Sequence, residues 1–364
     1  MFNRNQILFF AVLIALSSCL MQIDEALTDF EQQLVVEGEV TTDPGPYTVQ
    51  LNYTGDVLGA IDRNRLPVSD AQVMIEDSDG NSYDLVESEP GVYLTNAQDF
   101  TGEIGKGYRL VFVTPADGSY ESEFVVIPPT PIVTDADVDF QVFNRTNETN
   151  QFVSTRVQQH VVSIEIENST EESYFKVEAI GTEQRLIQPA PPLFAPDSCL
   201  AFYFGETSQG NTVNCWQNIG DLSNGIRTLS NELFDPSSSL KIEALTVPFN
   251  NRGTFLATIN VKAITSSEFE FWNTLNKQNN LRADVFNPPL EAVIGNIFSI
   301  SNDKEVVAGF FSAYSISQQV VCIDRLNLTS IIPFQAILAP CNTNCLTLFP
   351  NATWEAPPEL AFCE

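Results

Sequence analysis

Histidine and basic residues are both scarce in this chain of 364 residues, and each shortage excludes a class of function. His160 is the only histidine, so a Ser-His-Asp or Cys-His catalytic arrangement would have to use it. It stands at the start of a strand-like segment, where we expect a polar residue on an edge strand. The 17 lysines and arginines are outnumbered by 47 acids, which gives a net charge of −30. That charge argues against nucleic acid and anionic membrane surfaces as partners.

Sequence motifs of common catalytic sites are absent as well. No segment matches Gly-x-Ser-x-Gly, a P-loop or His-Glu-x-x-His. The segment Asp77-Ser78-Asp79-Gly80-Asn81 has the acids of a calcium loop, but Ser82 and Ser88 stand where an EF-hand needs glycine and glutamate. We therefore expect this segment to form a hairpin turn.

The acidic residues are the remaining candidates for chemistry. Asp135, Asp137 and Asp139 alternate, so they could share one face of a strand. We expect water to solvate them, with metal binding as the alternative. A hydrolase that uses two carboxylates is a further alternative, because 47 acids provide many pairs by chance. The sequence thus predicts a protein that is not an enzyme, with no catalytic residue, no cofactor and no metal site.

The N-terminal segment resembles an export signal. No stretch reaches the ~18 uncharged apolar residues of a membrane-spanning helix. The apolar run from Ile7 to Leu16 has the length of a signal-peptide h-region, and Leu16-Ser17-Ser18-Cys19 looks like a bacterial lipobox. We expect a signal peptide over residues 1–18, lipid attachment at Cys19 and an acidic tether over residues 19–32. The alternative is an ordinary secretory signal with a chance cysteine.

Six further cysteines are expected to form disulfides, because an even number in an exported chain indicates oxidised pairs. Cys199 and Cys215 flank one loop, so we expect these two to pair. The remaining four would then pair among themselves. A zinc site at Cys341-x-x-x-Cys345 is disfavoured, because the only histidine lies far away in the sequence. The disulfide candidates are Cys199, Cys215, Cys322, Cys341, Cys345 and Cys363.

Alternating apolar and polar residues, broken by frequent turn signals, predict a mainly β protein. We expect an N-terminal Ig-like or transthyretin-like β-sandwich over residues 33–128. The stiff segment Pro128-Pro129-Thr130-Pro131 would end it. A second β-rich domain is predicted over residues 129–364, with one short helix. Ser267-x-x-Glu270 would begin that helix as a capping box, and Asn279-Asn280 would end it.

Several motifs in a fixed order resemble a Bacteroidota outer-membrane lipoprotein family, described as domain of unknown function four-two-four-nine. The similarity begins with the lipobox and covers nearly the whole mature chain, although the last four residues depart from the Pro-x-Phe-Trp-like tail common in the family. The later motifs are Leu34-Val35-Val36-Glu37-Gly38, Pro67-Val68-Ser69-Asp70-Ala71-Gln72-Val73, Pro90-Gly91-Val92-Tyr93, Gly105-Lys106-Gly107-Tyr108, Cys215-Trp216, Phe271-Trp272-x-x-Leu275, Gly295-Asn296-Ile297 and Gly309-Phe310-Phe311-Ser312-Ala313.

This resemblance implies a role in nutrient uptake, because members are typically encoded beside SusC-like TonB-dependent receptors. We therefore expect a lipid-anchored outer-membrane protein, facing the cell exterior, that serves as an accessory or substrate-binding partner of a TonB-dependent barrel. The alternative is a structural or adhesive surface lipoprotein. The family has no assigned catalytic residues, so none can be transferred to this chain.

Overall fold

The computed structural model describes residues 32–55, 66–97, 100–146, 154–189, 213–221, 226–280, 293–325, 337–339 and 345–363. Residues 33–54 and 65–364 belong to one compact unit, which contains the elements named below. Strands predominate among them, so the predicted mainly β class is confirmed. Within these ranges, no helix combines the length and the apolar composition needed to cross a bilayer.

Nine strands in the first part of the chain form most of a β-sandwich. One sheet runs β5-β6-β2-β1 and the other runs β5-β4-β7-β8, with β3 beside β2 and β9 beside β7. Successive side chains alternate between faces, so Val36 and Val49 enter the core while Glu37 and Glu39 face away from it. The strands are β1 (Leu34–Thr41), β2 (Thr48–Tyr53), β3 (Leu66–Pro67), β4 (Gln72–Asp77), β5 (Ser82–Glu89), β6 (Val92–Leu94), β7 (Gly107–Val113), β8 (Ser119–Ser122) and β9 (Val125–Val126).

The second part of the chain forms another pair of sheets around a core of its own. Strands β10, β11 and β15 make a three-stranded sheet, and β12 pairs with β16, which pairs with β18. Apolar side chains from both sheets fill the space between them. The elements are β10 (Val133–Thr146), β11 (Ser154–Ile166), β12 (Tyr174–Pro189), β13 (Val213–Asp221), β14 (Arg227–Ser230), β15 (Leu240–Pro248), β16 (Phe255–Ile264), α1 (Ser266–Asn280), β17 (Ile297–Ser299), β18 (Ala308–Ile323), β19 (Ile337–Ala339), α2 (Cys345–Leu348), β20 (Ala352–Thr353) and a 3-10 helix (Pro358–Cys363).

Strand β18 belongs to both cores. Its first half pairs in parallel with β1, and its second half pairs antiparallel with β16. Strand β17 also joins the first sandwich, beside β8. Ile297, Val307, Phe311 and Ala313 consequently lie in the first core. The predicted boundary at residue 128 therefore does not separate the two cores, because strands from the end of the chain complete the first one.

Helix α1 confirms the predicted helix, but its cap differs from the expected one. The Thr265 hydroxyl accepts a hydrogen bond from the Glu268 backbone N–H at 3.3 Å, so Thr265 is the N-cap rather than Ser267. Glu268 is therefore the N3 residue, where a negative charge is favoured by the helix dipole. Helix α2, a single turn of four residues, was not predicted.

The disulfides differ from the expected pairing. Cys215 of β13 bonds to Cys345 of α2, so the predicted Cys199–Cys215 bridge is wrong. The C-terminal segment folds back onto β13, where β20 pairs with it, and this return brings the two cysteines to a Cα–Cα distance of 5.8 Å. A second bridge joins Cys322 to Cys363. Cys199 and Cys341, like the lipid-attachment candidate Cys19, lie outside the described residues.

Candidate functional site

The outer face of the β1–β18 sheet forms one wall of a cavity of about 470 Å³. Helix α1 lies against this face, and the sides are formed by β12 and β16. The parallel register places Glu37 beside Phe310 and Glu39 beside Ser312, all on the side of the sheet that faces away from the first core. The shared strand thus creates a concave site where the two sandwiches meet the helix.

Helix α1 contributes one face to this cavity. Glu268, Phe271, Trp272 and Leu275 line it, and their spacing of three or four residues places them on the same side of an α-helix. Three of the four are apolar and form a packing stripe, which is what an amphipathic helix buries. The acid among them is the exception, because glutamate is rarely fully buried unless it is paired.

Glu268 is buried, with 2% of its surface exposed. Its Oε1 accepts hydrogen bonds from the Trp272 indole N–H at 3.0 Å and from the Ser312 hydroxyl at 2.9 Å. Its Oε2 has no hydrogen-bond partner. Burial raises the pKa of Glu268, although the bonds from Trp272 and Ser312 and the charges of two lysines act against the rise. The side chain is therefore a carboxyl held towards its neutral form, with one oxygen unsatisfied.

Two lysines lie on the sides of the cavity that β12 and β16 form, and they share one carboxylate. Lys176 of β12 and Lys262 of β16 are direct cross-strand partners. Their ammonium groups lie 2.9 Å and 2.8 Å from the two oxygens of Glu178. Burial would raise the pKa of Glu178, but the two lysines outweigh it, so the pKa is lowered. The Lys176 ammonium also lies 3.5 Å from the centre of the Trp272 ring, a cation–π contact that further fixes its position.

Tyr314 and Glu39 form the third polar pair of the cavity. The Tyr314 hydroxyl donates to Glu39 Oε2 at 2.6 Å. Burial of the ring and the nearby negative charge of Glu39 raise the pKa of Tyr314, so the phenol keeps its proton and remains a donor. The Lys262 ammonium lies 4.5 Å from the centre of the Tyr314 ring. Glu39, Glu178 and the two lysines thus each have a partner on the cavity wall.

The arrangement suits recognition of a small molecule. Pockets of about 300–1,000 Å³ with apolar walls and a few fixed polar groups are typical ligand sites. Here Phe271, Phe310 and Leu275 supply apolar surface, while Glu268 and the lysines supply fixed polar atoms. Among the described residues, no three histidine, cysteine or acidic side chains are grouped as they would be to hold a metal ion.

His160 lies away from this cavity and is not on an edge strand. It belongs to β11, the central strand of its sheet, and packs between Phe140 of β10 and the ring of Phe249. Only 2% of its surface is exposed, and neither ring nitrogen has a hydrogen-bond partner. Burial and, secondarily, the charge of Arg325 lower its pKa to about 4. The expected edge position is wrong because strands on both sides of β11 cover this histidine.

The calcium-like segment forms a hairpin turn, as predicted. Asp77, at the end of β4, is buried, and its Oδ1 accepts the backbone N–H groups of Asp79 and Asn81. Its Oδ2 accepts the Asn81 amide and the Tyr83 hydroxyl and lies 2.8 Å from the Lys106 ammonium. Burial alone would raise the pKa of Asp77, but these donors hold it well below its ordinary value.

The other candidate acids lie on a surface. Asp135, Asp137 and Asp139 are exposed on one face of β10, as the alternation predicted. Lys241 approaches Asp137 at 3.8 Å, a distance typical of a weak surface pair. Solvation therefore accounts for these three charges.

The sequence prediction missed the cavity residues. One signal was available: Glu268 interrupts the apolar face of α1 at the spacing of Phe271, Trp272 and Leu275. The lysines gave no such signal, because Lys176 and Lys262 lie on strands that are distant in sequence and become neighbours only through pairing.

A family model described as Domain of unknown function (DUF4249) matches residues 21–320 of the chain. The chain belongs to this family. The predicted membership of this domain family is therefore confirmed, and the matched range contains every residue that lines the cavity. No curated protein matches the chain.

Two of the segments on which the resemblance was based, the one around Asn296 and the one that begins at Gly309, meet directly behind the cavity. The Asn296 amide donates to the Phe311 carbonyl at 2.8 Å and accepts the Phe311 N–H at 2.9 Å, so one side chain replaces a strand partner. A side chain at Gly295 would place its Cβ 1.8 Å from the Gly309 carbonyl oxygen. Gly309 itself has a φ of +101° and lies against the backbone of Val36. These two motifs thus hold the start of β18 against β1, where Phe310 and Ser312 face the cavity.

Proposed function

We propose that this DUF4249 protein is an outer-membrane lipoprotein that serves as an accessory or substrate-binding partner of a TonB-dependent nutrient transporter. It would be anchored through Cys19 and face the cell exterior. The observation that carries the binding role is the cavity under α1, where a buried carboxyl, two lysines and apolar walls converge. A site built on strands and a helix is held rigidly, which favours selective binding over adhesion.

The sequence supports the anchor and the partner. The lipobox ending at Cys19 is followed by Asp24 and Glu25, and such acids resemble a surface-export signal. A net charge of −30 disfavours contact between the body of the protein and anionic head groups, so a protein partner is favoured over the bilayer. Proximity to a TonB-dependent barrel is what the family resemblance implies.

The buried carboxyl group of Glu268 supports a second candidate function, hydrolysis that is catalysed by carboxylates. A buried acid with a raised pKa in a cleft is a candidate general acid. Glycoside hydrolysis also needs a second carboxylate across the scissile bond. Glu178 and Glu39 are already engaged by lysine and tyrosine donors, so we favour binding without turnover.

Co-purification tests the proposed function. The tagged full chain would be isolated from outer membranes in mild detergent, and its partners identified by mass spectrometry. We expect a TonB-dependent barrel, and no turnover of peptides or glycans by the purified protein. Cys19→Ala should release the chain from the membrane or leave it unprocessed. Ser18→Ala keeps a small residue at the predicted cut and is the matched control. Recovery of no barrel, together with normal growth of a deletion strain on every substrate of the neighbouring transporter, would favour the adhesive alternative.

A further inference from the structure

The unmet hydrogen bond of Glu268 distinguishes the cavity from an ordinary surface depression. Both available donors, Trp272 and Ser312, bond to Oε1. Oε2 is buried and lacks a partner, whether it carries a proton or a negative charge. Leaving a buried polar atom unsatisfied is costly, and Glu268 is one of the residues that line the cavity, so we take a ligand group to be the missing partner of this oxygen.

Four of the charged groups that line the cavity, Glu39, Glu178, Lys176 and Lys262, are paired among themselves. Glu178 binds both lysines, and Glu39 accepts from Tyr314 and lies 4.0 Å from the Lys262 ammonium. A charged ligand would have to break one of these pairs or remain unpaired, which is unfavourable beside the largely buried lysines. An uncharged ligand avoids that cost.

A hydroxyl group meets the requirement at Glu268 in either protonation state. It can donate to a carboxylate oxygen and can accept from a carboxylic acid. The apolar surfaces of Phe271, Phe310 and Leu275 face the same space, so they can contact the C–H groups of the ligand. The unengaged N–H groups of Lys176 and Lys262 can donate to further hydroxyl oxygens without leaving Glu178.

We propose that this cavity binds an uncharged small molecule that carries several hydroxyl groups, a monosaccharide or a polyol of similar size. Glu268 receives one hydroxyl, the two lysines bind others, and the aromatic side chains of α1 and β18 cover the carbon skeleton. This assignment rests on the proposed function for its biological meaning, since the bound molecule would be the substrate of the transporter.

Three probes that share one skeleton test the assignment. Glucose is neutral, glucosamine is cationic and glucuronate is anionic at neutral pH. Each would be titrated into the detergent-purified full chain and followed by calorimetry and by the indole N–H resonance of Trp272. We expect glucose to bind about tenfold or more tightly than either charged analogue. No response to glucose, or tighter binding of glucosamine or glucuronate, would overturn the proposal.

Substitutions at Glu268 separate its binding role from a structural one. Glu268→Gln keeps a group that donates and accepts, so glucose affinity should change by less than about threefold. Glu268→Leu removes both oxygens and should weaken glucose binding about tenfold. Glu270→Leu makes the same change at an exposed position of α1 and should leave binding unchanged. Equal affinities of the Gln and Leu variants would contradict the assigned role.

A second variant covers the case in which Glu268→Leu fails to fold. Leu275→Trp should fill the cavity while leaving the Glu268 hydrogen bonds in place, and glucose binding should be lost. Retained glucose binding in this variant would place the ligand elsewhere and overturn the proposal. These titrations use the isolated protein, so they can fail while the barrel co-purifies, and the barrel can be absent while glucose still binds.

Discussion

The two sandwiches of this molecule differ in how completely their buried polar groups are hydrogen-bonded. In the first, Asp77 has donors on both oxygens, and the buried Tyr93 hydroxyl both donates to Val68 and accepts from Ala71. Among the described residues, every buried side-chain polar atom without a partner belongs to the second region: His160, Arg227, Glu268, Ser315 and Arg325. Both described disulfides also lie there.

We interpret this difference as compensation, in which the disulfides offset the cost of the unmet polar groups in the second region. A disulfide restricts the unfolded chain and so adds stability without any further packing. The first sandwich, without a described bridge, depends on complete hydrogen bonding. On this interpretation, buried polar atoms without hydrogen-bond partners occur in the region that the disulfides stabilise. One of these atoms belongs to Glu268, which lines the cavity.

The largest effect is expected from the longer bridge. Replacing Cys215 and Cys345 together by alanine should lower the free energy of unfolding by about 4 kcal/mol, because this bridge closes a loop with a sequence separation of 130 residues. Chemical denaturation would measure the loss. Replacing Cys322 and Cys363, separated by 41 residues, should cost somewhat less. A negligible loss in the first variant would refute compensation by the bridge.

A loss of about 3 kcal/mol is expected when Asp77 is replaced by alanine. The substitution leaves the Lys106 ammonium and the Asn81 and Tyr83 side chains without their shared acceptor. Asp84→Ala, at an exposed position of the next strand, is the matched control and should change stability little. The pKa of Asp77 is lowered in the folded state, so its contribution is present above the unfolded pKa and is lost as the pH falls. Equal losses in the two variants would show that the hairpin cluster is not stabilising.

His160 should produce a smaller effect that depends on pH. Its folded pKa is about 4, below the ordinary value of 6.5, so the unfolded chain takes up a proton first as the pH falls. Between pH 6.5 and pH 4 the wild type should therefore lose on the order of 2 kcal/mol more stability than His160→Leu. Denaturation at both pH values measures the difference. Parallel curves for the two proteins would contradict the buried, neutral state of His160.

An effect of the opposite sign is expected at Glu268. Its folded pKa is raised, so the stability it contributes is present below the unfolded pKa and is lost as the pH rises through the folded pKa. Glu268→Gln does not titrate and should gain stability relative to the wild type between pH 5 and pH 8. The change of stability with pH has opposite signs at Glu268 and at Asp77. The two residues together therefore test the comparison between the second region and the first sandwich. A relative loss of stability in Glu268→Gln at pH 8 would indicate that the carboxylate is ionised and well solvated.

The local features of this fold were predictable from the sequence, and the distant ones were not. The alternation of apolar and polar residues predicted a mainly β protein, with strands such as β2, and the turn residues around Gly80 predicted the hairpin between β4 and β5. The parallel pairing of β1 with β18 has no local signature, because it joins segments from opposite ends of the chain. The partner of Cys215 was mispredicted for the same reason.

The candidate site was harder to predict than the fold. It combines side chains from β1, β12, β16, α1 and β18, and no spacing within one segment indicates that they meet. The helix could be predicted, but its cap was misplaced by two residues, which hid the position of Glu268 in the first turn. An acid on an otherwise apolar helix face was the strongest signal the sequence offered.

The parallel pairing of β1 with β18 also constrains when the first sandwich can fold during synthesis. Ribosomes release the N-terminal part of a chain first, and domains commonly fold as they emerge. Here β1 can pair with β18 only after the chain from residue 308 onwards has been synthesised. Until then, the edge of β1 that pairs with β18 remains unpaired. Contacts between such distant segments form slowly, and unpaired edges are prone to aggregate. The delay is compatible with the proposed export, because translocation through a secretion channel requires a polypeptide that has not yet folded.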